Sequence, residues 1–255
     1  MSFDVAAESY DRFMGRFSRP LAPVLADFAD VRPGQRALDV GCGPGALTGE
    51  LVRRLGAGAV AAVDPSAPFV AALAERFPGV QVASAVAEHL PHPDASFDRT
   101  LAQLVVHFMN DPVAGVREMA RVTRPGGVVA ACVWDEASDA GPLQAFYRGF
   151  AEVVPDVDTE RGLVGVREGD LEAVYEAAGL TGTVAQALHV TVPFASFDEW
   201  WEPFTLGAGP AGAQLAALDP GRREDVRARC RAILPAGPFV VDAIAWAVRA
   251  VVEIP

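Results

Sequence analysis

Asp39 stands two residues before Gly41, the first of three alternating glycines (Gly41, Gly43, Gly45), and Asp64 follows Gly41 by 23 positions. The apolar run Ala37-Leu38-Asp39-Val40 leads into the glycines, and helix-forming residues follow. This pattern reads as a strand, a tight turn and a helix N-terminus, which binds nucleotides in doubly wound α/β folds. Glycine lets the backbone turn sharply and lets a ligand touch the main chain. A carboxylate at position 39 would repel a pyrophosphate on that turn, so the pattern suits a ligand with a cationic group and no phosphate. An acid about 20 residues past the glycines accepts hydrogen bonds from ribose hydroxyls, the role expected of Asp64. Capping the helix that begins near Pro65 is a second role, compatible with the first.

Gln103 and His107 are four residues apart, so on a helical turn both would point the same way. Imidazole has a suitable pKa to take a proton from a hydroxyl, which makes His107 the candidate general base; the competing reading is a buried histidine bonded to backbone. His89 and His92 bracket Pro91 without a third ligand, and no cysteine pair has metal or redox spacing, so no metal is expected. His189 falls in a strand-like segment and is read as structural.

These residues need a frame of alternating short strands and helices. Strands are predicted at 36–41, 60–63, 80–83, 97–102 and 128–134, and helices at 44–55, 67–77 and 112–122, with helical turns at 104–109. Asp111 is the expected N-cap of the helix that Pro112 opens. Such alternation implies a mainly parallel sheet with right-handed crossovers. Residues 9–26 read as one or two helices broken by Pro20 and Pro23. The later part is predicted helical at 143–153, 170–178, 197–206 and 224–234, and strand-like at 183–192. Residues 239–251 read as a late strand in which a helical portion is left open.

Leu38-Asp39-Val40-Gly41-Cys42-Gly43-Pro44-Gly45 resembles the first motif of class I S-adenosylmethionine-dependent methyltransferases. The resemblance continues through Ala62-Val63-Asp64-Pro65-Ser66, Ala87-Glu88-His89-Leu90-Pro91, Ser96-Phe97-Asp98 and Arg121-Val122-Thr123-Arg124-Pro125-Gly126-Gly127, in the family's order, over residues 35–135. It implies a doubly wound, Rossmann-like, mostly parallel seven-stranded sheet whose last strand is antiparallel. Residues 1–35 would be an N-terminal helical lid, 36–193 and 237–255 the cofactor domain, and 194–236 a helical cap insertion. The implied cofactor is S-adenosylmethionine, whose methionine ammonium answers the acid at position 39. Asp39 and the backbone of Gly41, Cys42 and Gly43 would hold the methionine end, and Asp64 the ribose. Ala87 and Glu88 would meet the adenine, with Pro65 or Ser66 on its other face, and Gln103 would hold the methionine moiety. Arg16 would bind the methionine carboxylate with Tyr10 against the same end; for both, a helix packed on the sheet is the alternative. Amine-methylating members carry an Asn/Asp-Pro-Pro-aromatic motif where this chain has Ala102-Gln103-Leu104-Val105, which argues against methylation of exocyclic base amines and of glutamine amides; a small organic acceptor methylated on oxygen or carbon is expected. Trp134, Phe146, Tyr147, Trp200, Trp201 and Phe204 are candidate walls for a small-molecule acceptor, with one of the adjacent Trp200 and Trp201 expected to face a pocket.

Composition narrows the field further. The chain of 255 residues is 51% hydrophobic, enough for a packed core, and its net charge of −12 is a poor match for nucleic acid. All 21 basic residues are arginine, which excludes Schiff-base and Walker-type lysine chemistry. The N-terminal stretch lacks signal-peptide features and no apolar run reaches a membrane span, so a cytoplasmic protein is expected, with no membrane partner and a homodimer left open. A nicotinamide oxidoreductase is the first rival, disfavoured by Asp39 and because its glycine pattern would need glycine at Ala46. A non-catalytic cofactor-binding regulator and a peptide or protein methyltransferase are the others.

Overall fold

The structure is a computed structural model describing residues 7–253; the first six residues assigned to the N-terminal lid and the last two of the cofactor domain lie outside the described residues. Seven strands form one sheet in the order β3-β2-β1-β4-β5-β7-β6. They are β1 (Ala37–Val40), β2 (Val60–Asp64), β3 (Gln81–Ser84), β4 (Phe97–Gln103), β5 (Thr123–Trp134), β6 (Val184–Phe194) and β7 (Phe239–Val251). All neighbours are parallel except β7, which runs antiparallel to both β5 and β6. The fold is therefore the expected Rossmann-like, mostly parallel sheet.

β1, β2 and β4 are buried at every position. β1 and β2 accordingly read as mostly apolar runs, because helices cover both faces of a parallel sheet, whereas β4 buries Asp98, Arg99 and Thr100 among its apolar residues. On one face lie α2 (Gly15–Phe28) and α3 (Ala46–Leu55), where Phe17, Leu21, Leu25, Leu47 and Leu51 enter one core. On the other lie α5 (Pro112–Val122) and α7 (Asp170–Ala177), which bury Val116, Met119, Leu171 and Tyr175. α4 (Ala67–Arg76) closes the β2–β3 end through Leu73.

Three local expectations meet tertiary context. Asp111 caps α5 by accepting the Ala114 N–H at 3.0 Å, with Pro112 at the first helical position, as the sequence suggests. Pro20 and Pro23 do not break α2, which runs through both after a short α1 (Ala7–Phe13). Pro20 is exposed, so the carbonyl it leaves unpaired can meet water, while the opposite stripe of Phe17, Leu21 and Leu25 holds the helix to the sheet. Residues 239–251 are strand throughout, because β7 pairs with β6 from Phe239 to Arg249 and with β5 from Ala245 to Val251. Between β6 and β7 the chain forms α8 (Phe197–Trp201), a 3₁₀ turn at Glu202–Leu206, α9 (Gly209–Ala217) and α10 (Pro220–Ile233). The remaining helix, α6 (Gln144–Ala151), packs against α10.

Candidate active site

A cleft of about 690 Å³ opens at the C-terminal ends of β1, β2 and β4, where the strand order reverses between β1 and β4. Open α/β sheets bind ligands at this position. Its floor is the glycine turn. Gly41 has φ +70, and a Cβ there would lie 2.5 Å from both methyls of Val105, so the left-handed turn and close packing both demand glycine. The Gly41 and Cys42 N–H groups bond the Val63 carbonyl at 2.8 and 3.0 Å, tying the turn to β2.

The two acids face the cleft differently. Asp64 accepts the Gly43 N–H at 2.9 Å on one oxygen and the Ser66 N–H at 2.8 Å on the other. It thus joins the glycine turn to the start of α4, and each oxygen keeps a further lone pair. Asp39 is fully buried; Oδ2 accepts the Thr48 hydroxyl at 2.6 Å, and Oδ1 has no partner. Burial, with Asp64 adding to it, pushes the Asp39 carboxyl up to about 7. Gln103 repeats the pattern at the end of β4: its Nε2 donates to the Ser18 carbonyl at 2.9 Å, and its buried Oε1 has no partner. Two bare acceptor oxygens on the lining of one cleft call for a ligand rich in N–H donors.

The remaining candidates line the walls, with one exception. Pro65, Ser66, Ala87 and Glu88 face the cleft; Glu88 Oε1 also accepts the Asn110 and Asp111 N–H groups at 2.7 and 3.0 Å, holding the loop before α5. Tyr10 lines the cleft with its ring 5.5 Å from that of Phe69. His107 lines it too, from a 3₁₀ turn; its Nδ1 has no partner, and desolvation pushes the imidazole down to about 3, so the ring is neutral at physiological pH. Arg16 is the exception. Its guanidinium is 2.7 Å from Glu199 and 5.1 Å from the Phe194 ring centroid, in a separate surface groove with Arg12, Glu199 and Glu202. The next two residues of α2, Phe17 and Ser18, turn toward the sheet, which rotates Arg16 toward α8 and away from the expected carboxylate contact.

The aromatic residues sort differently from expectation. Trp200 and Trp201 are both buried, and neither lines the cleft. They pack with Phe197, Phe204 and Phe146, the last two stacked at 4.3 Å, as part of the core. Trp134, at the end of β5, is buried edge-on to Phe17 with Nε1 unpartnered. Sequence reasoning missed Thr48, although it lies one helix turn past the glycines, and missed Phe69, Val105 and Met109 on the cleft walls. Among the described residues no three His, Cys, Asp or Glu side chains gather as metal ligands, and no helix is long and apolar enough to cross a membrane.

Comparison with known proteins agrees with this geometry. Residues 38–131 match the family model described as a methyltransferase domain. The nocamycin O-methyltransferase of Saccharothrix syringae is 38% identical over 133 residues, covering 50% of this chain and 48% of that protein. The malonyl-[acyl-carrier protein] O-methyltransferase of Erwinia billingiae is 35% identical over 128 residues, covering 50% of each. The chain spans about half the length of these curated relatives. Among solved structures, an S-adenosylmethionine-dependent methyltransferase from Thermotoga maritima superposes with a TM-score of 0.53 at 18% identity, over 97% of this chain and 100% of that one. Residues 38–131 thus match a methyltransferase domain, on the Rossmann-like fold that the solved structure shares.

Proposed function

We propose that this protein transfers a methyl group from S-adenosylmethionine to an oxygen or carbon of a small organic acceptor, as a soluble cytoplasmic enzyme. The observation that carries the reading is the pair of buried, partnerless acceptors, Asp39 Oδ1 and Gln103 Oε1, on the lining of the glycine-turn cleft. An ammonium supplies three N–H donors and a positive charge, which suits bare acceptor oxygens and holds Asp39 ionised. A pyrophosphate would do neither. Asp64 offers its remaining lone pairs to ribose hydroxyls. Ala87 and Glu88 flank the base on one side, and Pro65 and Ser66 on the other.

The cofactor brings its own leaving group and an electrophilic methyl. The protein's residues supply position and a dry site. Tyr10 and α2 cover the cleft, and the Gln103–Ser18 hydrogen bond ties that cover to the sheet. His107, neutral and with Nδ1 free, can accept a proton from an acceptor hydroxyl. The domain reading follows the same division of labour: residues 1–35 as lid, 36–193 and 237–255 as cofactor domain, and 194–236 as cap. Calorimetry with S-adenosylhomocysteine, with NAD as control, tests the reading. Micromolar binding of the first and none of the second is expected; preference for NAD would overturn it.

A further inference from the structure

Met109 ends the turn that follows β4, and its backbone is fixed on both sides. The Met109 N–H donates to the Val106 carbonyl at 3.3 Å, and the next two N–H groups, of Asn110 and Asp111, donate to Glu88 Oε1. Asp111 is held in turn by its cap on α5 and by its carbonyl, which accepts the Gly115 N–H at 2.9 Å. The Met109 side chain lines the cleft, as Ala87 and Glu88 do. Gly115, one turn into α5, explains where that side chain goes. A Cβ on Gly115 would lie 2.5 Å from the Met109 sulfur, 3.5 Å from its terminal methyl and 3.4 Å from the Ala87 Cβ. The thioether thus occupies the hollow that a missing side chain leaves on α5, next to Ala87.

Gly115 itself is buried, lies outside the cleft lining and is not among the glycines with positive φ. Its backbone is helical, where glycine is a poorer choice than alanine. Conformation therefore does not call for glycine at 115, whereas the sulfur packed against it does. A Cβ there would fall well inside van der Waals contact and push the thioether off its seat. α5 and Ala87 close two sides of the hollow, and Glu88 holds the backbone beyond Met109, so the displaced thioether moves toward the cleft. An unbranched, polarizable thioether fills such a gap and packs well against a flat ring.

We propose that Gly115 is a positioning residue for the cofactor: it seats Met109 back against α5 and so sets the width of the base end of the cleft, with Met109 part of the wall on which the adenine packs. The inference rests on the methyltransferase reading, in which Ala87 and Glu88 flank the base, and deepens it by adding two residues to that end of the site. Gly115 touches no ligand and acts through Met109. Pro65 and Ser66 face the base from the other side, so a thioether pushed forward narrows the slot between two walls.

The test uses the full chain and calorimetry. S-adenosylhomocysteine is titrated into the wild-type protein first; absence of binding at that step overturns the cofactor reading and with it this inference. Gly115→Ala is then expected to bind S-adenosylhomocysteine about tenfold more weakly, through overpacking of the slot. Met109→Ala provides the reference for the pair. Adding Gly115→Ala to Met109→Ala should change affinity by less than about twofold, because the residue through which Gly115 acts is gone. A merely structural role for Gly115 would give the same loss in both backgrounds. Wild-type affinity in Gly115→Ala, or an undiminished loss on adding it to Met109→Ala, overturns the inference and leaves the cofactor reading in place. Should Gly115→Ala alone fail to fold, Met109→Ala is expected to restore folding to the double variant, and failure of that variant also overturns the inference.

Discussion

The acids of the glycine turn, Asp39 and Asp64, and the acids beyond β5, Glu136 and Glu160, are all buried, yet they are held in opposite ways. Asp39 takes a donor from Thr48 and Asp64 one from Ser66, each within its own strand–turn–helix unit, and the Gly43 N–H on Asp64 joins the two neighbouring units. Glu160 takes its donor from Tyr147 on α6, and Glu136 takes none. The first region is built within two adjacent strand–turn–helix units. The second is assembled by packing of α6, the loop at 152–169 and the end of β5, and so is free to differ among chains that share the first.

The sharpest way to break the comparison is Asp64→Ala. Losing a charged acceptor for two hydroxyls, at about 1.5 kcal/mol or more each, should weaken S-adenosylhomocysteine about 100-fold by calorimetry. Unchanged affinity would remove Asp64 from the ribose. Asp39→Asn should cost about tenfold, because the amide keeps the shape but not the charge that meets an ammonium. An affinity within twofold of wild type would mean that the bare Oδ1 serves something else.

The acids beyond β5 make a prediction about pH. The fold raises the Glu136 pKa from its ordinary 4.5 to about 8. The folded state therefore favours the protonated form: its contribution to stability is complete below about pH 4.5 and is lost as pH rises through about 8. Glu136→Gln, which cannot ionise, should match the wild-type melting temperature near pH 4.5 and exceed it at pH 8.5. With coupling to Glu160 allowed for, a gain of about 2 kcal/mol corresponds to roughly 4–8 °C in a protein of this size. A pH-independent difference in calorimetric melting would show that Glu136 is already ionised and paired. His107 provides a finer contrast: its imidazole shifts in NMR spectra should stay flat from pH 5 to 8, and a midpoint near 6.5 would mean that water reaches the ring. Smallest of all, Arg16→Ala should change S-adenosylhomocysteine affinity by less than twofold, since its partner is Glu199.

The sequence was legible wherever chemistry and spacing stayed local. The glycine turn, Asp39, Asp64 and the cap at Asp111 are each specified within a few residues, and the alternation of strands and helices was enough to give the sheet's class. It was illegible where a side chain's surroundings come from distant segments. Arg16 reads as a cofactor ligand until α8 is seen to supply Glu199, and one of Trp200 and Trp201 reads as a pocket wall until Phe146 and Phe204 are seen to pack against the pair. Pro20 and Pro23 mark helix ends by local rules and do not end α2, because burial of its apolar stripe outweighs two missing hydrogen bonds.

By itself, the sequence determined the Rossmann-like class, the place of the cleft and the acids on its floor, because backbone conformation and strand–turn–helix geometry act over fewer than about ten residues. Only the tertiary structure decided which oxygens are left without partners, which arginine is spent on an ion pair and which acids are buried together. Those outcomes depend on contacts such as Gln103 with Ser18 and Tyr147 with Glu160, and donor and acceptor balance in a folded core is a property of the whole packing rather than of any one segment.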